Sequence, residues 1–243
     1  MKMKAKIINN LRRVSGIQHL MKEMQTLRTH ILESENLENI ALRISREESA
    51  RYIVQNMPKS KVFQSVDDII DFSVDSVAEH LKSGLFLEFG VWKGRSINRI
   101  ASKTRQLVHG FDSFEGLPEA WRTGFNTGEF ALPTNQLPEV KENVRLIKGW
   151  FNQTLPEFAK TTESNIAILH VDCDLYSSTK TIFEYLGDRL VTGSIVLFDE
   201  YLGYPGWDKH EYLAFQEFIG ISGKEYEYLG YNAAHEQVVV VIK

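Results

Sequence analysis

From residue 85 onward, short apolar runs alternate with helix-like segments, and that alternation constrains this chain more than any other feature. The runs are Leu85–Phe89, Leu107–Phe111, Val144–Ile147, Ile166–Val171 and Ser194–Phe198. Near-continuous apolar character marks strands buried on both faces, and helical spacers between them imply βαβ units and a parallel sheet. Two further runs, Tyr226–Leu229 and Gln237–Ile242, lie close together and read as a hairpin at the sheet edge. The chain has 243 residues, 43% hydrophobic and 25% charged, which excludes wholesale disorder and a collagen-like repeat. With one cysteine, Cys173, it has neither an internal disulfide nor a zinc cluster, and an intracellular, cytoplasmic setting is the default expectation.

Ahead of the sheet the pattern is helical. Apolar residues at Ile7, Ile8, Leu11, Val14, Ile17, Leu20, Met21, Met24, Leu27 and Ile31 step by three and four along one helix face. This arm is basic: residues 1–30 carry seven Lys or Arg and one acid, a balance of +6. The whole chain is at -4, so everything after residue 30 sums to -4 - 6 = -10. An acidic body argues against nucleic acid as a partner, and no apolar run is long enough to span a membrane. The arm reads as a packing helix, against a partner subunit or against its own domain. A second amphipathic helix is expected from Asp67 to Lys82, ended by Ser83-Gly84, with further helix and loop over 36–65 broken at Pro58. These patterns divide the chain into a helical region, 1–60, and an α/β domain, 61–243.

Chemistry-bearing residues collect at the carboxyl ends of the strands, where open α/β sheets bind ligands. The first strand ends Glu88-Phe89-Gly90 and leads through Gly94 to Ser96, a tight β-to-α turn that is not a G-x-G-x-x-G loop. The second ends at Asp112, 112 - 88 = 24 residues on, where a carboxylate suits the two hydroxyls of a ribose. Trp150 and Phe151 follow the third strand and suit either base stacking or core packing. The fourth and fifth strands run into Asp172-Cys173-Asp174 and Asp199-Glu200. Carboxylates this close repel one another by about 4 kcal/mol per pair at 4 Å unless protons or a cation neutralise them. An oxygen-rich cluster suits Mg²⁺, whereas one acid alone would serve to cap the helix beginning near Ser177. Cys173 reads as a packed residue, and His170 as a core histidine. A long loop, Glu115–Pro138, with Trp121, Arg122, Phe125 and Phe130, joins Tyr201–Trp207 as a candidate wall of an acceptor pocket.

The blocks LEFGVWKGRS, GFDSFEGLP, HVDCDLYSST and FDEY, in this order, resemble the macrocin O-methyltransferase family over about residues 60–243. The resemblance implies a seven-stranded Rossmann-like, mostly parallel sheet with helices on both faces and an antiparallel last strand. It implies S-adenosyl-L-methionine as co-substrate, Mg²⁺, and a hydroxylated small-molecule acceptor, a sugar of a glycosylated natural product or a nucleotide sugar. On its motifs Glu88 and Gly90 would line the methionine portion of the cofactor, with Gly94 and Ser96 shaping the loop. Asp112 would hold the ribose, and Ser113 and Trp150 would lie near the adenine. Asp172, Asp199 and Glu200 would be the metal ligands. Asp172, itself beside the cofactor, is expected to be the general base, with Asp174 second. Glu200 departs from the family, where many members have a second Asp. A homodimer or higher homo-oligomer is expected. A metal-independent methyltransferase and a non-catalytic adenosylmethionine-binding module are the alternatives.

Overall fold

The computed structural model describes residues 16–29, 36–133 and 136–243. The chain divides into two compact units, Met1–Ser45 and Arg46–Lys243. In the first, residues 16–29 form helix α1, on which Ile17, Leu20, Met21, Met24 and Leu27 are all exposed. The expected helical stripe is therefore seen from Ile17 to Leu27. Its outer members, Ile7 to Val14 and Ile31, lie outside the described residues. Helix α2, Leu37–Asn56, spans the division between the units and ends before Pro58, as the sequence indicates.

The second unit is a three-layer α/β domain. Strands β1 (Lys61–Phe63), β2 (Leu85–Phe89), β3 (Val108–Asp112), β4 (Val144–Lys148), β5 (Ile166–Val171), β6 (Ile195–Phe198), β7 (Tyr226–Asn232) and β8 (Val238–Ile242) form one sheet. Its order is β1-β7-β8-β6-β5-β2-β3-β4. Strand β8 pairs antiparallel with both β6 and β7, and every other pairing is parallel. All seven expected strands form. The sheet nevertheless has eight, because Lys61-Val62-Phe63 pairs with β7. Three residues, two of them exposed, carry too little periodicity to announce a strand. The β7–β8 hairpin is consequently not at the edge: β1 covers β7, and β8 is interior.

Burial follows strand alternation. Leu87, Phe89, Leu169, Val171 and Phe198 enter one core, while Phe86, Ile168, Ile195 and Leu197 enter the other. Helices α3 (Val66–Asp75), α4 (Arg95–Lys103), α5 (Phe151–Thr161), α6 (Tyr176–Leu186) and α7 (Glu211–Ser222) cover the two faces. Helix α3 is shorter than its amphipathic pattern. It is capped at Ser65, whose side chain accepts from the Asp68 amide, and it closes at Ser76. Val77 and Ala78 fall between α3 and a separate turn, Glu79–Leu81, which carries Leu81; Ala78 is extended at ψ 144°.

Candidate functional site

The parallel strands point their carboxyl ends at one rim, and the register fixes what meets there. Glu88 pairs across the backbone with His170, and His170 with Leu197, which places Asp172 and Asp199 two residues further on, just beyond the ends of neighbouring strands. Gly90 makes the close approach possible. It has φ +92°, and a Cβ there would fall 1.6 Å from the carbonyl oxygen of Asp172, so a side chain is excluded.

A cavity of about 690 Å³ opens over this rim. Gly90, Ser96, Asp112, Ser113, Trp150, Asp172, Asp199 and Glu200 all line it. Asp112 is held by three backbone donors: Val91 and Trp92 N–H donate to Oδ2 at 2.8 Å each, and Phe114 N–H to Oδ1 at 2.7 Å. Gly94 is outside the lining and instead starts α4 in the left-handed region, φ +80°. Glu88, expected on the methionine side of the site, has no surface in that lining. It is fully buried and absent from the wall; Ser96 Oγ donates to one oxygen at 3.0 Å and His170 Nδ1 meets the other at 2.9 Å. The polar atom presented to the cavity from this pair is Ser96, and Glu88 acts behind it.

Neither Asp172 nor Asp174 caps α6, whose N-cap Leu175 has no side-chain cap bond. The acids are free of that structural duty. Asp174 stands in the left-handed region at φ 64°, a conformation Asp tolerates better than most residues. Burial, and then the neighbouring Asp199 charge, push Asp172 well above the usual carboxylate range and Asp174 up to about 7. Glu200 is raised well above its usual range by burial and then by Asp174 and Asp199, and its buried Oε2 finds no hydrogen-bond partner among the described residues. Burial would raise Asp199 too, but His170 outweighs it and holds Asp199 low. His170 stays well above a usual imidazole despite its burial, because Asp199 and Glu88 flank it. At 3.8 Å the His170 Nε2–Asp199 Oδ1 contact is an ion pair, longer than a hydrogen bond.

Candidate ligand atoms of His170, Asp172 and Asp199 lie within 4.8 Å of one another. Geometry thus groups His170 with Asp172 and Asp199 and leaves Glu200 outside that set. Gln237 was missed in the sequence; its Nε2 donates to Asp199 Oδ1 at 3.0 Å. So was Glu211, a buried carboxylate on α7. Its signal was present, since Glu211, Ala214 and Phe215 form an i, i+3, i+4 buried stripe with a charge in it. Cys173 is buried, lies 3.4 Å from Thr179 Oγ1, and has its thiol pushed up by burial, which fits a packed residue.

A second cavity, about 760 Å³, reaches the same acids. It shares Asp199, Glu200, His235 and Gln237 with the first, and adds Arg46, Ala50, Ile53 and Val54 from α2 with Arg122 from the long loop. The described part of that loop is compact. Leu117 N–H donates to the Glu129 carbonyl, Arg122 pairs with Glu236 at 3.0 Å, and its guanidinium lies 3.9 Å from the Trp121 ring centre.

Known proteins are similar to this chain. Residues 17–218 match the family model of macrocin O-methyltransferase, TylF, so the match reaches well ahead of residue 60. A tetracenomycin-C rhamnosyl 4'-O-methyltransferase of Streptomyces olivaceus is 31% identical over 157 residues, covering 55% of this chain and 59% of that protein. The demethyldecarbamoylnovobiocin O-methyltransferase of Streptomyces niveus is 28% identical over 166 residues, covering 58% and 59%. The chain therefore spans 59% of the length of each of these relatives. Among solved structures, a calicheamicin methyltransferase superposes with a TM-score of 0.57 at 23% identity, covering 85% of this chain and 93% of that one. The O-methyltransferase NovP superposes at 0.53 and 24% identity, covering 72% and 78%. The structures establish the shared fold, and the match over 17–218 establishes more: the chain belongs to the macrocin O-methyltransferase family.

Proposed function

We propose that this protein transfers a methyl group from S-adenosylmethionine to a hydroxyl of a small molecule, a sugar of a glycosylated natural product or a nucleotide sugar, with Mg²⁺ at the acid cluster. One observation carries the reading. Two cavities meet at Asp199 and Glu200, one holding the glycine turn and Asp112, the other walled by α2 and the long loop. A donor and an acceptor approaching from separate sides would meet at those carboxylates. The relatives support the class of acceptor, since the two named above act on antibiotic scaffolds, one of them rhamnosylated.

The donor set fits a hard divalent cation. Asp172, Asp199 and Glu200 supply oxygen, and Glu200 carries a buried oxygen with no partner among the described residues, which a cation would satisfy. When bound, adenosylmethionine supplies the electrophilic methyl group and Mg²⁺ polarises the acceptor hydroxyl. The protein's own residues do the rest. Asp112, fixed by three amides, accepts the ribose hydroxyls, and Trp150 and Ser113 border the base. Asp172, Asp199 and Glu200 would hold the cation, and a cation held there would keep the acceptor in place by proximity. Asp172 takes the acceptor proton on its carboxylate, with Asp174, also in the wall, as the alternative base.

Isothermal titration with adenosylmethionine, paired with turnover on sugar-bearing acceptors with and without EDTA, tests each part. Cofactor binding with EDTA-sensitive turnover is expected. No cofactor binding refutes the reaction class, and EDTA-insensitive turnover refutes the metal. Asp172→Asn should lose both Mn²⁺ binding and turnover. If it retains turnover while Asp174→Asn loses it, Asp174 is the base.

A further inference from the structure

Glu211 begins helix α7 and is fully buried, yet it lines neither cavity. Its two oxygens go in different directions. Oε1 accepts the amide N–H of Cys173 at 3.3 Å, and Oε2 accepts the amide N–H of Glu200 at 3.2 Å. Cys173 follows Asp172 just beyond β5, and Glu200 follows Asp199 just beyond β6. One side chain on a third element therefore ties together the two loops that carry the acids.

Chemistry narrows what can stand there. Two amide donors approaching from two loops need two acceptor atoms on one side chain, which a carboxylate has and an amide or hydroxyl group placed there lacks. A further carboxylate is also an expensive choice in a buried neighbourhood that already contains Asp172, Asp174, Asp199 and Glu200. Helix initiation does not account for it, because the N-cap of α7, His210, makes no side-chain cap bond and an exposed residue would start a helix as well.

We propose that Glu211 is a positioning residue: it fixes the separation of Asp172 from Asp199 and Glu200 by holding their loops through the Cys173 and Glu200 amides. This rests on reading those acids as a cation site. Groups behind a metal site orient its ligands, and losing them weakens metal binding without any contact to the metal.

The test uses the full chain with Mn²⁺ as probe, its binding read by the paramagnetic resonance of the free ion, and adenosylhomocysteine affinity measured in parallel. Glu211→Asp is the informative variant, because it keeps the charge and both oxygens but shortens the reach. It should weaken Mn²⁺ binding about tenfold while leaving adenosylhomocysteine affinity unchanged. Glu211→Gln should weaken Mn²⁺ binding at least as much. Unchanged Mn²⁺ affinity in Glu211→Asp with a loss only in Glu211→Gln would mean that charge alone matters, and overturns the clamp. Equal losses of Mn²⁺ and adenosylhomocysteine binding would mean general loosening, and also overturn it. Wild-type protein that binds no Mn²⁺ would remove the cation site itself. Hydrogen exchange on the wild type stands apart from any folding defect in the variants: slow exchange of the Cys173 and Glu200 amides is expected, and fast exchange at both overturns the clamp.

Discussion

His170 Nδ1 sits 2.9 Å from Glu88 Oε2, and neither side chain has any exposed surface. A buried carboxylate facing a buried imidazole is stable as a pair and unstable as either half. Removing one partner strands the other away from water, a loss of about 3–5 kcal/mol. His170→Ala and Glu88→Ala should therefore each lower the urea midpoint by that order, while the double variant loses much less than the sum. A double-mutant cycle by urea denaturation reads the coupling, and additive losses would show that the pair is not a unit.

Glycines give a sharper comparison. Gly90 and Gly124 have nearly the same φ, +92° and +90°, but a Cβ on Gly90 would strike the Asp172 backbone while one on Gly124 meets nothing within 4 Å among the described residues. Gly124→Ala should thus cost about 1 kcal/mol for conformation alone. Gly90→Ala adds a backbone collision that no rotamer relieves, so it should be several times worse and should disturb adenosylmethionine binding. Equal unfolding midpoints for the two variants would show that the β2 and β5 turns separate freely.

The sequence exposed the sheet because buried parallel strands must be apolar throughout, and all seven apolar runs became strands. It also exposed the acids, because a charge that ends such a run is conspicuous. What it hid was relational. Lys61–Phe63 is a strand only because β7 has an open edge beside it. Glu88 ends an apolar run at the turn, and only the structure shows that each of its oxygens has a partner, Ser96 on one and His170 of β5 on the other. Glu211 sits in a helix of ordinary composition, and nothing local says that two distant loops converge on its carboxylate.

Helices α3 and α4 meet through a ladder of charges. Asp67, Asp71 and Asp75 step by four along one helix, and Arg95, Arg99 and Lys103 step by four along the other. Its middle rung is bidentate, with Arg99 Nε and Nη2 at 2.6 and 2.8 Å from the two Asp71 oxygens. That hydrogen bond chiefly holds the Asp71 carboxyl below the usual range, so its stabilising contribution is present above the unfolded aspartate value and is lost as pH falls through the folded one. Asp71→Asn should lower the urea midpoint at pH 7, by a small amount because the pair is partly solvated. The difference from wild type should shrink in high salt and disappear on acidification. A difference that persists in strong acid would assign the loss to packing instead.

Tyr228 is the hub of a network of phenols. Its hydroxyl lies 2.6 Å from that of Tyr52, 2.9 Å from that of Tyr201 and 3.1 Å from that of Tyr226. Three contacts match what one hydroxyl offers, a donor and two acceptor lone pairs. The hub binds α2, through Tyr52, to β7 and to the residue that follows Glu200. Tyr228→Phe keeps the ring and its edge contacts but takes one hydrogen bond from each of three neighbours, of which Tyr201 and Tyr226 keep Gln216. It should cost about 1–3 kcal/mol, the price of unmet buried polar groups. Tyr226→Phe should cost less, since Tyr228 keeps Tyr52 and Tyr201 and the ring of Tyr226 still packs on Phe215. Unfolding midpoints of the two variants measure the ranking. The reverse order would mean that the rings, and not the shared hydroxyl, hold α2 against the sheet.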